Sequence, residues 1–216
     1  MVRHNRKRNK KCVKVLEMTT DRRRVGEQRP GGRAERVRSS VLKAVFELLV
    51  EEGFERLSIE KVANRAGVHK TTVYRRWSTK AELVLDTARA TSRQNVPIPD
   101  TGSFHGDLAE LARSVASNIG TEPRTQIARS IVAASVASEE LTSSMHTFWA
   151  EGLSVTIPVV ERAINRGELP ASTDANLIIE TLIGPMWVRL LLTGETIDDD
   201  LADRVAALVA GLAQSR

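Results

Sequence analysis

The sequence predicts an all-α protein, a small three-helix unit at the front followed by a larger helical bundle. Apolar residues return every three to four positions along most of the chain and nowhere alternate with period two for long. Gly67 separates two short helical patterns. The run Val96-Pro97-Ile98-Pro99-Asp100-Thr101-Gly102 then breaks the periodicity and divides front from rear. With 216 residues, 41% of them hydrophobic and 27% charged, the composition is that of an ordinary globular chain.

Charge is distributed unevenly. Residues 1–33 carry net +9, residues 34–80 net +4 and residues 81–216 net −8. A basic front and an acidic rear imply that one end meets a polyanion while the other stays off it. Residues 1–32 hold the clusters Arg6-Lys7-Arg8, Lys10-Lys11 and Arg22-Arg23-Arg24 with little apolar periodicity, and read as a disordered basic arm. Met18, followed by Thr19-Thr20-Asp21, is an alternative start that would make residues 1–17 an extension. The single cysteine, Cys12, falls in this arm and is assigned no role. No uninterrupted apolar run approaches a membrane span and the N-terminus lacks a signal-peptide core, so the expected location is the cytoplasm, with no membrane partner.

The front unit is expected over residues 33–80. Arg33 to Glu52 forms a helix with Val37, Val41, Ala44, Val45, Leu48 and Leu49 on one face, ending at Gly53. Ser58 caps a second helix whose stripe is Ile59, Val62, Ala63 and Ala66. Gly67 stops it, Val68 enters the elbow, and Lys70 to Trp77 restarts as a third helix. Lys70, Thr71, Tyr74 and Arg75 lie on its exposed side, while Trp77, about 60° away from Tyr74 around the helix, belongs to the core. A short basic helix with hydroxyls fits the major groove of DNA, where Lys or Arg reads guanine and Thr or an aromatic meets thymine methyls. Thr79 and Glu82 form a capping box that opens a fourth helix, Lys80 to about Arg93. Lys80 and the first N–H groups of that helix would face a phosphate.

These residues resemble the DNA-binding domain of the TetR family of bacterial one-component repressors, in the pattern A-x-x-A-G-V-x-x-x-T-V-Y-R-R-W-x-x-K-x-x-L. The likeness runs from about Arg36 to Leu85. It implies that Lys70, Thr71 and Arg75 contact bases and that Tyr74 contacts a phosphate or a thymine methyl. Thr72, Arg76 and Lys80 would hold the DNA backbone, and Ser58 and Arg33, next to the arm, complete the DNA-binding set. Ile59 stands where many members place a phosphate-touching hydroxyl, and position 70 varies most among members, so no operator sequence is carried over.

The rear unit, residues 81–216, reads as helices over Phe104–Ile119, from Ile127 to Ala137 and from Glu139 to about Arg166. Gly152 and Pro158 are expected to loosen and kink the last of these. A further helix follows, capped by Thr173 or Asp174, closed by Gly194, and apolar over more than one face through Leu177, Ile178, Leu182, Ile183, Met186, Trp187, Leu190 and Leu191. The last begins at Asp198-Asp199-Asp200 and carries Leu201, Val205, Leu208, Val209 and Leu212. The resemblance implies a homodimer through these last two helices, bound to a palindromic double-stranded operator. It also implies a small-molecule effector in the rear bundle, and Met145, Phe148, Trp149, Met186 and Trp187 are the candidates to line an apolar pocket there. His105 and His146 have no metal-ligand spacing, and no cofactor motif, phosphate-cradling loop or nucleophile elbow occurs, so neither metal, cofactor nor enzymatic activity is expected. The alternative to an effector-released repressor is an architectural DNA-binding protein that senses nothing.

Overall fold

Residues 32–136 and 138–214 are described by a computed structural model, and among them there are nine α-helices and no strand. The basic arm, apart from Gly32, and Cys12 lie outside these residues. The unit described from here on begins at Arg36.

Helix α1 spans Gly32–Arg56 and is interrupted at Gly53, whose φ of 78° is open to glycine at no steric cost. Its buried face is Val41, Leu42, Ala44, Val45, Leu48 and Leu49: Leu42 joins the predicted stripe, and Val37, predicted to belong to it, is only half-buried. Helix α2 (Ile59–Ala66) starts at Ser58, whose Oγ accepts the Lys61 N–H at 3.2 Å. It ends at Gly67, left-handed at φ 68°, whose N–H turns back to the Ala63 and Asn64 carbonyls. Helix α3 is Lys70–Tyr74, shorter than the predicted Lys70 to Trp77. The Arg76 N–H closes onto the Val73 carbonyl at 3.0 Å, tightening the last turn. Trp77 is drawn into the core, and Thr79 is extended to cap the next helix.

Helix α4 (Lys80–Asn95) opens with Thr79 Oγ1 accepting the Glu82 N–H at 3.1 Å. The Glu82 carboxylate accepts from the Ser78 N–H at 2.7 Å and not from Thr79, so the reciprocal bond of the predicted capping box reaches one residue further back. Leu83, Val84 and Leu85 are all buried, far more than a helix covered on one side would bury. The front core therefore does not stop at three helices. It continues through α4 to Ile131 and Ala134 of α6 (Arg124–Val136) and Leu141 of α7 (Glu139–Asn165). A core of three short helices is marginal alone, and this docking supplies the missing apolar area.

Helix α5 (Phe104–Ile119) is capped by Ser103 and buries Phe104, Leu108 and Leu111 completely, each contributing about 1.5–3 kcal/mol. Helix α7 continues as one helix through Gly152 and Pro158, with Val159 and Val160 fully buried just beyond the proline. Asp174, not Thr173, caps α8 (Ala175–Val188), which passes into one wider turn over Arg189–Thr193 before Gly194. Helix α9 (Asp199–Gln214) follows Asp198, whose carboxylate accepts the Leu201 N–H at 3.0 Å. It packs lengthwise on α5, with Arg113 and Asp203 paired at 2.6 Å across the seam.

A polar knot closes the far end of this bundle. Asp107, fully buried, accepts from the Thr101 N–H at 2.6 Å and from Thr101 Oγ1 at 2.8 Å, and faces Arg166 at 3.4 Å. Glu168 accepts the Phe104 N–H at 2.7 Å, and that bond, with Arg166 beside it, holds its carboxyl below the usual range. The loop after α4 is thus fixed against α5 and α7.

Candidate nucleic-acid interface and ligand cavity

The turn at Gly67 presents α3 with one face inward and one outward. Val73 and Trp77 are buried, while Lys70, Thr71, Tyr74, Arg75 and Arg76 are exposed and Thr72 is half-buried. Tyr74 is 44% exposed against 4% for Trp77, as their angular separation predicts. Lys70 and Arg75 make no ion pair among the described residues. The basic side chains flanking α3 differ: Arg65 pairs with Glu51 at 2.7 Å and Lys61 with Glu52 at 2.5 Å. Both cations of α2 are thereby matched by carboxylates of α1, while Lys70 and Arg75 on α3 and its exit are not matched among the described residues.

Ser58 Oγ is engaged as the α2 cap. Arg33 is exposed in the first turn of α1. Lys80 is half-buried: its Nζ lies 4.2 Å from the centre of the Phe54 ring and donates to the Phe54 carbonyl at 3.2 Å. In this state the ammonium braces the end of α1 against the start of α4.

Asp86 was not singled out from the sequence. Its Oδ1 accepts from Arg38 at 2.8 Å and its Oδ2 from the Trp77 indole N–H at 3.0 Å, so one carboxylate ties α1, the exit of α3 and α4 together. Burial alone would push this carboxyl up, but the hydrogen bonds from Arg38 and Trp77 outweigh it and hold the group below its ordinary value. The readable signal is an acid in the middle of an apolar run, Leu83-Val84-Leu85-Asp86-Thr87.

Behind this clamp, α1 and α4 to α8 line an open cavity of about 280 Å³. Of the residues predicted for it, Met145, Phe148, Trp149 and Trp187 line it. Met186 does not. One position away from Trp187 and about 100° around α8, it is fully buried in the main core with Ile179 and Leu182. The sequence reading missed the walls given by α1, α4, α5 and α6, including Phe46, Val84, Ala88, Val115 and Ile127. Trp149 and Trp187 meet edge to face at 5.0 Å, and Phe148 meets Trp149 at 5.7 Å. Arg89 pairs with Glu151 at 2.6 Å and lies 5.7 Å from the Phe148 ring centre, a link between α4 and α7 at the cavity's edge.

The last two helices carry a second apolar face. Leu177, Val188, Leu191 and Leu192 on α8 and its extension, and Leu208 and Leu212 on α9, are exposed. Ala175–Thr193 is long and apolar enough to cross a membrane by length and composition, but Glu180 and Arg189 interrupt it and its other face, Ile179, Leu182 and Met186, is bundle core.

Two family models cover most of the described chain. Residues 41–87 match the one described as bacterial regulatory proteins, tetR family, and residues 98–209 match the tetracyclin repressor-like C-terminal domain. The HTH-type transcriptional regulator AqdR of Rhodococcus erythropolis is 34% identical over 182 residues, which are 84% of this chain and 87% of that protein. The DNA-binding transcriptional repressor TetR of Mycobacteroides abscessus is 33% identical over 173 residues, 78% of this chain and 89% of its own. Among solved structures, the TetR family transcription regulator SCO0332 superposes with a TM-score of 0.70 at 28% identity, covering 81% of this chain and 97% of that one. The relatives' names describe regulators, not enzymes.

Proposed function

Because the chain belongs to the TetR family and is a DNA-binding transcriptional regulator, we propose that it is a cytoplasmic repressor released from a palindromic operator by a small molecule bound in its rear bundle. One observation carries this reading. Helix α4 holds the DNA-reading unit through Asp86 and Lys80 at one end, and along its length forms a wall of the cavity through Val84 and Ala88. A ligand that prefers a displaced α4 would move the base of α3, and it can release DNA only to the extent that it binds that arrangement better. The relative named as a repressor supports the direction of control. The exposed apolar face of α8 and α9 supports a twofold dimer, which would set two α3 helices in successive major grooves.

The test is fluorescence anisotropy with DNA flanking the protein's own gene and a scrambled duplex of equal length, over a range of salt. A sequence-specific regulator is expected to prefer one duplex by ~1000-fold or more. Equal, steeply salt-dependent binding to both would favour a general DNA binder.

Tyr74→Ala and Lys80→Ala are each expected to weaken operator binding while the dimer stays intact in size-exclusion chromatography. If Lys80 leaves Phe54 to meet a phosphate, its removal flattens the slope of log affinity against log salt by about one unit. An unchanged slope would confine Lys80 to bracing α1 against α4. Arg75→Ala, which removes a cation with no ion pair among the described residues, is expected to cost about 1–3 kcal/mol per half-site and to relax preference at one base pair.

A further inference from the structure

Positive charge lines the cavity although it belongs to the acidic part of the chain. Residues 81–216 carry net −8, yet among the described residues Arg89, Arg93 and Arg124 line the cavity against one carboxylate, Glu151. Two of these cations share a face of α4. Leu85, Ala88, Arg89, Ser92 and Arg93 follow one another at three- and four-residue steps along that helix, and all five line the cavity. The face is apolar at Leu85 and Ala88 and turns basic in the last two turns. Arg89 and Arg93 are one turn apart, and Glu151 serves only the first, at 2.6 Å. Arg93 is exposed and makes no ion pair among the described residues. The Ser92 hydroxyl likewise makes no hydrogen bond among them, whereas Thr87, Thr91 and Thr156 donate theirs to carbonyls of their own helices at 2.9, 2.9 and 2.8 Å. Arg124 turns to Thr121 Oγ1 within its own turn, at 3.4 Å. Like charges one helical turn apart repel, and an oxyanion beside Arg93 would relieve that repulsion while taking charge-assisted hydrogen bonds.

Resting on the reading of this cavity as the effector site, we propose that its ligand is an amphipathic anion, with an apolar body in the cavity and a carboxylate head held by Arg93 and Ser92 beside the Arg89–Glu151 pair. The apolar walls supply affinity and the end of α4 supplies selection. An uncharged analogue of the same shape leaves Arg93 unmatched and loses the advantage. The head is held by α4 itself, so its binding acts directly on the helix that carries the DNA-reading unit.

Isothermal titration calorimetry of the full chain at low salt tests this with two carboxylates, octanoate and 2-naphthoate, each beside its primary amide. The carboxylate of a body that binds is expected to bind at least ~10-fold more tightly than the amide. That preference is expected to disappear in Arg93→Gln and to persist in Arg124→Gln. Because Arg93 is exposed and unpaired among the described residues, Arg93→Gln is also expected to melt within about 2 °C of the parent, which separates loss of recognition from loss of fold. Equal binding of acid and amide would overturn the anionic class, as would failure of all four compounds to bind. A preference that survives in Arg93→Gln, or that is lost only in Arg124→Gln, would overturn the placing of the head on α4. Binding as expected with no effect on the DNA anisotropy would instead count against the cavity as an effector site, leaving its recognition chemistry in place.

Discussion

Asp86→Ala is expected to lower the thermal unfolding midpoint by about 5–10 °C, read by circular dichroism at neutral pH. The carboxylate takes two charge-assisted hydrogen bonds, from Arg38 at 2.8 Å and from the Trp77 indole at 3.0 Å. Such bonds are worth roughly 1.5–3 kcal/mol each when buried. Side-chain exposures of 20% for Arg38 and 22% for Asp86 let solvent screen the ion pair, so about 2–3 kcal/mol for the whole loss is the consistent figure. Trp77 contributes most of it, since that ring is buried and its N–H would lose its acceptor. Asp86→Asn keeps an acceptor for Trp77 and gives up the charge, so it should cost about half as much.

The pH dependence has a definite sign. The folded carboxyl lies below its unfolded value, so the stabilisation is complete above the ordinary carboxylate pKa, about 3.9, and is lost as pH falls through the folded value. The gap between parent and Asp86→Asn is therefore expected at pH 7 and should narrow as the solution is acidified below pH 4. An equal gap at both ends of that window would sink the assignment.

The second large effect is expected at the outer face of α8 and α9. Leu192 is 80% exposed, Leu208 61% and Leu212 57%, and Val188 with Leu192 on one helix and Leu208 with Leu212 on the next are each spaced i, i+4, so both helices turn apolar side chains to solvent. Val188→Glu combined with Leu208→Glu would put four carboxylates into the proposed twofold interface and none into the monomer's own core. The variant should keep its helical circular dichroism and run as a monomer. Its operator affinity should fall by at least ~100-fold, because two half-site contacts then no longer act as one. A variant that stays dimeric would place the interface elsewhere, and one that loses its helicity would show these side chains to be part of the fold.

Most of the helices were legible because their boundaries are local. Ser58, Thr79, Ser103 and Asp198 accept backbone N–H groups within three residues, and Gly53, Gly67, Gly167 and Gly194 adopt positive φ where a helix must end. Such signals need no distant partner. The family pattern was legible for the same reason, since Gly67, Tyr74, Trp77 and Lys80 lie within fourteen consecutive positions. The length of α3 was less so: its end is set by Trp77 turning into a core that only folding assembles.

The sequence by itself determined the all-helical class, the glycine turn, the exposed basic face of α3 and the family. These follow from spacing along one helix, where neighbours are fixed by 3.6 residues per turn. Only the tertiary structure decided which of Met186 and Trp187 faces the cavity, that Asp86 joins three helices, and that Lys80 rests on Phe54. Each of these depends on residues that pack together from different helices, and a helical stripe shows that a side chain is buried without showing what it is buried against.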